Sequence, residues 1–220
     1  MNKNINITKE KTTNRHKTRW LLIVVIVAVA AGGVWGWKAV LERHFIAKRF
    51  GIVEQGSIYR SGQISAPLIK KTLLNYNIRV IVDLTGEDPN DIDQQAEKKA
   101  AAELGIEVKR YPLRGNGTGD VNNYARAVIA IADAGKRNLP VLVHCAAGAQ
   151  RTGGVIAAYR LLVQKKDPAF ITSEMKRYGW SPKDNPALLP YLNENMADLA
   201  IMLKQAGVID DFSQPLPEFH

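Results

Sequence analysis

The apolar and polar positions divide the chain into a short, unbroken apolar run and a longer region of alternating strand-like and helix-like segments. Residues 1–19 are polar and rich in Lys, Asn and Thr. Such a composition buries too little apolar surface to fold, and it predicts a disordered tail. From Trp20 to Trp37 no charge interrupts the apolar run. As a helix it would measure roughly 27 Å, near the hydrocarbon thickness of a bilayer. Trp20 stands at one end and Trp35 and Trp37 at the other, where interfacial anchors belong. A core helix of a soluble domain would need a polar face, and this run has none. Ala28-Val29-Ala30 has the small residues of a signal-peptide cleavage site behind a basic leader. The run continues past it to Trp37, so its length favours an uncleaved single-pass anchor over 20–41. Basic residues are denser before the run than after it. That predicts a cytoplasmic N-terminus, with the domain outside the cytoplasm.

Residues 42–50 read as a connector, 51–206 as one domain and 207–220 as a C-terminal tail. Within the domain, Gly56–Gln63 suits a strand ending in a turn, and Leu68–Tyr76 a short helix. Arg79–Leu84 is a β-branched run between Asn77 and Gly86, hence a buried strand. A helix over 91–104 stops at Gly105, a natural C-terminal cap. Ile106–Leu113 is the next strand. The glycine-rich segment Gly115–Asp120 is a loop that glycine makes flexible. Val121–Ala134 is helical, Val141–Val143 is a strand, and helices follow over 153–165, 168–178 and about 187–205. Pro182 and Pro186 punctuate the gap before the last, and Pro215 and Pro217 mark a frayed tail. Strands separated by helices predict an α/β fold, with a mostly parallel central sheet flanked by helices.

The formal charge of +9 changes this picture little. Six basic residues against Glu10 in the tail supply more than half of it. No aromatic-interleaved basic patch accompanies the rest, so nucleic acid is not an expected partner. A single cysteine excludes an intramolecular disulfide.

That cysteine lies in the stretch with the most chemistry, Pro-Val-Leu-Val-His-Cys-Ala-Ala-Gly-Ala-Gln-Arg-Thr-Gly at 140–153. A buried strand leads into a loop of small residues, and the loop opens a helix. Such a junction aims backbone N–H groups and a helix dipole at one point, which suits an anion, phosphate above all. The same field lowers the pKa of a thiol at its base. Arg151 can hold two phosphate oxygens with its planar fork. A buried free cysteine is the ordinary fate of a lone thiol. That reading explains neither His144 before it nor Gly148 and Arg151 after it.

His144, Cys145, Gly148, Arg151 and Thr152 match every fixed position of His-Cys-x-x-Gly-x-x-Arg-Ser/Thr. The loop thereby resembles the signature of the cysteine-dependent protein tyrosine and dual-specificity phosphatases. Gly56–Gln63 and Arg79–Leu84 are similar to the opening strands of the atypical dual-specificity group, so the resemblance spans about 50–205. It implies a Cys145 nucleophile, a phosphocysteine intermediate, and hydrolysis by water with no metal or other cofactor. It implies that the N–H groups of Ala146, Ala147, Gly148, Ala149, Gln150 and Arg151 bind the phosphoryl oxygens with the Arg151 guanidinium. Thr152 would assist departure of the sulfur, and His144 would hold the loop and thiolate from behind.

The family's general acid is an aspartate after the strand that here ends near Leu113. Arg114-Gly115-Asn116 stands where many relatives have it, and the first carboxylate is Asp120. Asp120 is also well placed to cap the helix over 121–134. As acid it would need the loop to swing over the site. As cap alone it would leave catalysis to substrates with an acidic leaving group such as a phenol. No charge lies among the five residues between Cys145 and Arg151. Relatives acting on phosphoinositides or inositol pyrophosphates tend to place basic residues there. Its absence favours a phosphoprotein substrate, phosphotyrosine before phosphoserine or phosphothreonine, unless Arg60, Arg114 or Lys183 brings charge from neighbouring loops. A phosphoinositide or inositol-phosphate phosphatase and a non-catalytic phosphate-binding module are the alternatives.

Overall fold

The computed structural model describes residues 4–37, 47–212 and 215–220, with side chains of the first segment described at 19–34, 36 and 37. It comprises two compact units, Met1–Phe45 and Ile46–His220.

Among its described residues the first unit holds one helix, α1 (Asn4–Gly36). It begins inside the stretch expected to be disordered. Once an apolar run is helical, each added residue gains a hydrogen bond at little nucleation cost, and the Lys, Glu and Arg before Trp20 are fair helix formers. Among the described residues no helix is long and apolar enough to cross a membrane. Residues 38–41 of the expected anchor and 42–46 of the connector lie outside the described residues.

The second unit is α/β. Its strands are β1 (Gly51–Glu54), β2 (Ile58–Ser61), β3 (Val80–Asp83), β4 (Glu107–Arg110) and β5 (Val141–His144). Its helices are α2 (Ala66–Asn75), α3 (Ile92–Leu104), α4 (Val121–Lys136), α5 (Gln150–Leu162), α6 (Pro168–Arg177) and α7 (Leu188–Gln205). The five strands form one mixed sheet in the order β1-β2-β5-β3-β4. Only the β1–β2 hairpin is antiparallel; β5 pairs in parallel with β2 and β3, and β3 in parallel with β4. The mostly parallel sheet expected from the alternation of elements is present. β1 was not legible, because only Val53 of its four residues is buried.

Strands β2, β3 and β5 are buried on both faces. That is why β3 and β5 open on continuous apolar runs rather than alternating ones, while β2 buries the polar Arg60 and Ser61. Successive side chains point to opposite faces. Val141, Val143 and Cys145 join the core made with α4, α5 and α7. Leu142 joins Tyr59, Ile81 and the buried faces of α2 and α3 on the other side. Asp91, Asp120 and Asp167 cap α3, α4 and α6 by accepting backbone N–H groups of the first turn. Gly105 ends α3 at φ 63°, as its position in sequence predicts.

The tail expected to fray does not do so at its end. Phe219 is 3% exposed, and its backbone makes a reciprocal pair of hydrogen bonds with the Asn193 side chain on α7. The two prolines do not prevent the return: α7 has already ended at Gln205, and the closing segment buries the Phe219 ring. Phe219→Ala should lower the unfolding free energy by about 3 kcal/mol, read from the midpoint of chemical denaturation.

Candidate active site

The loop between β5 and α5 is shaped by what surrounds it. Helix α5 starts at Gln150, three residues earlier than its apolar pattern suggests, so Cys145 and the helix are joined by only Ala146–Ala149. Ala149 stands at its N-cap with no side-chain cap, in contrast to the Asp-capped α3, α4 and α6. The free N–H groups of its first turn are thus left for a ligand. Gly148 takes φ 75°, and its N–H donates to Cys145 Sγ at 3.1 Å.

A turn that sends its N–H groups inward sends its carbonyls outward, and each outward carbonyl here has a donor. Gln63 N–H donates to Ala146 O at 3.2 Å. Arg49 Nη1 donates to Ala147 O at 3.0 Å, and Arg60 Nη2 to Gly148 O at 2.8 Å. Arg60 lies in β2 and Gln63 just after it, while Arg49 stands just before β1. Packing at the end of β2 is close enough that a Cβ on Gly148 would lie 2.5 Å from Gly62 N and 2.6 Å from the Ser61 carbonyl carbon. Arg60 is fully buried, with its guanidinium carbon 4.0 Å from the centre of the Tyr178 ring. Burial pushes its pKa down to about 10, while Glu174, Tyr178 and Cys145 oppose that shift. Arg60 therefore braces the loop from behind and does not reach substrate from a neighbouring loop. Arg114 and Lys183 are exposed.

Cys145 is buried. Burial alone would push its thiol up. The Thr152 hydroxyl and N–H, the Gly148 N–H and the Arg151 guanidinium outweigh that, and the net shift is downward. Thr152 Oγ1 has no aligned hydrogen bond, so its effect on the sulfur is one of proximity. Arg151 is half-buried, and its Nη1 reaches Leu84 O at 3.4 Å, which ties the guanidinium to the end of β3. The structure thus brings together Cys145, Gly148, Arg151 and Thr152 as the sequence pattern implies.

His144 points to the opposite face of the sheet and is fully buried. Its Nε2 lies 3.1 Å from Glu97 Oε2 and 3.9 Å from Asp83 Oδ1. Both are ion-pair contacts rather than aligned hydrogen bonds. These three groups come within 4.8 Å of one another. Asp83 is already engaged, by Arg110 Nε at 2.9 Å on one oxygen and by the Thr85 hydroxyl at 2.7 Å on the other. The cluster is an ion-pair network whose positive charge comes from the protein.

Asp120 is where the sequence left two roles open. Its carboxylate accepts from Asn122 N–H at 2.8 Å and from Asn122 Nδ2 at 2.9 Å. Those two bonds hold its pKa below the ordinary value. The preceding loop is tethered, contrary to the expectation of flexibility from its glycines. Asn185 Nδ2 donates to Asn116 O at 2.6 Å, Tyr191 to Gly119 O at 3.0 Å, and the buried Tyr124 hydroxyl to Gly117 O. Gly117, at φ 89°, sits where a Cβ would lie 3.1 Å from the Gln150 backbone. Glycine here permits close approach rather than motion.

Sequence reasoning missed Asp83, Glu97, Arg49 and the three tethers. A carboxylate ending an apolar strand and another on the Ala100–Ala101 stripe of α3 were the available signals for the first two. Nothing local marks Arg49, Asn185 or Tyr191, because their partners are distant in sequence.

Fold and loop together define a domain of the cysteine-dependent dual-specificity phosphatase class. The chain belongs to the family described as DSP-PTPase phosphatase fused to NAD+ kinase, which matches residues 36–184. It is 40% identical over 62 residues to the dual specificity protein phosphatase OPG106 of vaccinia virus (strain Western Reserve), a match covering 28% of this chain. The chain spans only 36% of the length of that relative. Its fold is that of TpbA from P. aeruginosa, with TM-score 0.56 and 22% identity over 70% of this chain and 89% of that one. It is also that of the core catalytic domain of the PP-IP phosphatase SIW14 from S. cerevisiae, with TM-score 0.58 and 20% identity over 77% and 96%.

Gly148→Ala should collide with the β2 segment and flatten the turn. Affinity for orthovanadate, measured by calorimetry, should fall at least tenfold, or about 1.4 kcal/mol.

Proposed function

We propose that the chain hydrolyses phosphomonoesters with an acidic leaving group, phosphotyrosine in proteins first among them, through a phosphocysteine on Cys145. The observation that carries this reading is the thiol with lowered pKa at the foot of an uncapped helix N-terminus, beside Arg151. The thiolate attacks phosphorus in line. The N–H groups of 146–151 and the Arg151 guanidinium hold the equatorial oxygens and the charge that develops on them. Thr152 stabilises the sulfur as it leaves in the second step, when water attacks phosphorus.

The choice of leaving group rests on Asp120. Its cap bonds, its depressed pKa and the tethered loop before it favour a structural role. Without a poised acid, a phenolate departs far more readily than an alkoxide. The uncharged loop interior adds support, as does TpbA, which has also been solved in complex with pTyr. The second reading, an inositol-phosphate or phosphoinositide phosphatase, draws on the likeness to SIW14, a PP-IP phosphatase. Retention of the complete Cys145, Arg151 and Thr152 set speaks against a module that only binds phosphate.

We infer further that residues 20–41 anchor the chain in a membrane, with the basic tail on the cytoplasmic side. The apolar side chains of α1 from Trp20 to Val27 are all more than half exposed, and the uncharged sequence continues through Trp35 to Trp37. Exposed apolar surface of that extent calls for a lipid cover.

Cys145→Ser should abolish turnover of p-nitrophenyl phosphate while orthovanadate still binds; turnover near the wild-type rate would sink the mechanism. Asp120→Asn should leave kcat/KM on aryl phosphates within about twofold, whereas a poised general acid would cost 10²-fold or more. A panel of phosphotyrosine peptides, phosphoserine peptides and inositol phosphates decides the substrate class, with preference for the last favouring the second reading. Alkaline carbonate extraction of membranes should leave the full-length chain in the pellet; release into the supernatant would remove the anchor.

A further inference from the structure

Glu97 is a charged group that the mechanism leaves unused. It lies on α3, 2% exposed, in a stripe with Asp93, Ala100 and Ala101 that faces the sheet. Asp93 has a structural task, since its Oδ1 accepts the Ala66 N–H at the start of α2 at 2.9 Å. Glu97 instead reaches across to His144 Nε2, 3.1 Å away. An ionised carboxylate is costly to bury unless a cation faces it.

The charges around His144 come from four elements. From β3, Asp83 stands 3.9 Å away, and Arg110 of β4 matches it at 2.9 Å. From β2 the register neighbour is the uncharged Ser61, while Arg60 lies towards the other face over Tyr178. From α3 comes Glu97. From β5's own continuation comes Cys145. With Asp83 matched by Arg110, Glu97 is left to His144.

We propose that Glu97 is a positioning residue for the nucleophile: its buried carboxylate holds His144 as an imidazolium behind the loop, and that charge stabilises the Cys145 thiolate from across the sheet. The assignment rests on the reading of Cys145 as the nucleophile. Burial by itself would push the His144 pKa down. Glu97 first, then Asp83 and the Cys145 thiolate, raise it to about 9. The imidazolium thus persists at neutral pH and is lost only as pH rises through that value. Removing the Glu97 charge lowers the imidazole pKa, takes the cation away at neutral pH, and so raises the thiol pKa.

Alkylation of Cys145 by iodoacetamide against pH reads the thiolate without turnover, in the full-length chain in detergent. In Glu97→Gln the midpoint should rise by about one pH unit, and the acid limb of kcat/KM on p-nitrophenyl phosphate should move with it. Glu97→Asp keeps the charge and should stay nearer wild type. A residue that only packs would lower the melting temperature and leave the midpoint in place; that result overturns the proposal. Proton NMR of the His144 ring in the wild-type chain tests it with no variant, and a midpoint at or below 6.5 would also overturn it. A shifted alkylation midpoint in a chain with no phosphatase turnover would support the role of Glu97 and refute the proposed function, so the two failures are distinct.

Discussion

The site depends on the direction of three peptide groups. Between Cys145 and the first turn of α5 the backbone must turn its N–H groups towards the sulfur, which obliges the carbonyls of Ala146, Ala147 and Gly148 to face the protein. A buried carbonyl without a partner is costly. The fold meets that cost from one side, with Gln63, Arg49 and Arg60 each supplying a donor. The same side closes in so tightly on Gly148 that no other residue fits. The anion cradle is therefore not a property of the loop alone. It is the imprint of the β1–β2 hairpin and its flanking residues on a chain of small residues.

Electrostatics follows the two faces of the sheet. Because side chains alternate along β5, Cys145 emerges among the residues of α4 and α5, and His144 among those of α2 and α3. The Gly148 N–H and Arg151 beside the sulfur sit on the first face, and the buried carboxylates of Glu97 and Asp83 beside His144 sit on the second. Neither face would be stable in isolation. A thiolate with no positive field would protonate, and Glu97 and Asp83 without His144 and Arg110 would be unpaired charges in a core. Strand β5 makes each the other's counterweight.

Much of this was legible in the chain. The β-branched runs at 79–84 and 141–143, the Gly105 cap and the Asp120 cap placed their elements to within a few residues, since local sterics and burial decide them. The spacing of His144, Cys145, Gly148, Arg151 and Thr152 pointed to this loop, where the fold brings Cys145, Gly148, Arg151 and Thr152 together and turns His144 to the other face. What was not legible depends on contacts between distant segments. The short edge strand β1 carries one buried side chain and no pattern. The glycines at 115–119 read as freedom, yet Tyr124, Asn185 and Tyr191 convert them into points of close contact. Phe219 looked like the end of a frayed tail until Asn193 was seen to hold it.

The pairing of Arg60 with Gly148 has a consequence for how the protein is made. The two residues are 88 positions apart in the chain, and β2 lies directly against β5 in the sheet. During synthesis the bracing segment leaves the ribosome early, and the loop it shapes leaves late. Non-local parallel pairing of this kind forms slowly. Until it forms, Cys145 is an ordinary thiol on a flexible chain, without the convergent amides. The surroundings of the thiol are thus acquired as a property of the completed sheet, and a nascent or unfolded copy lacks them.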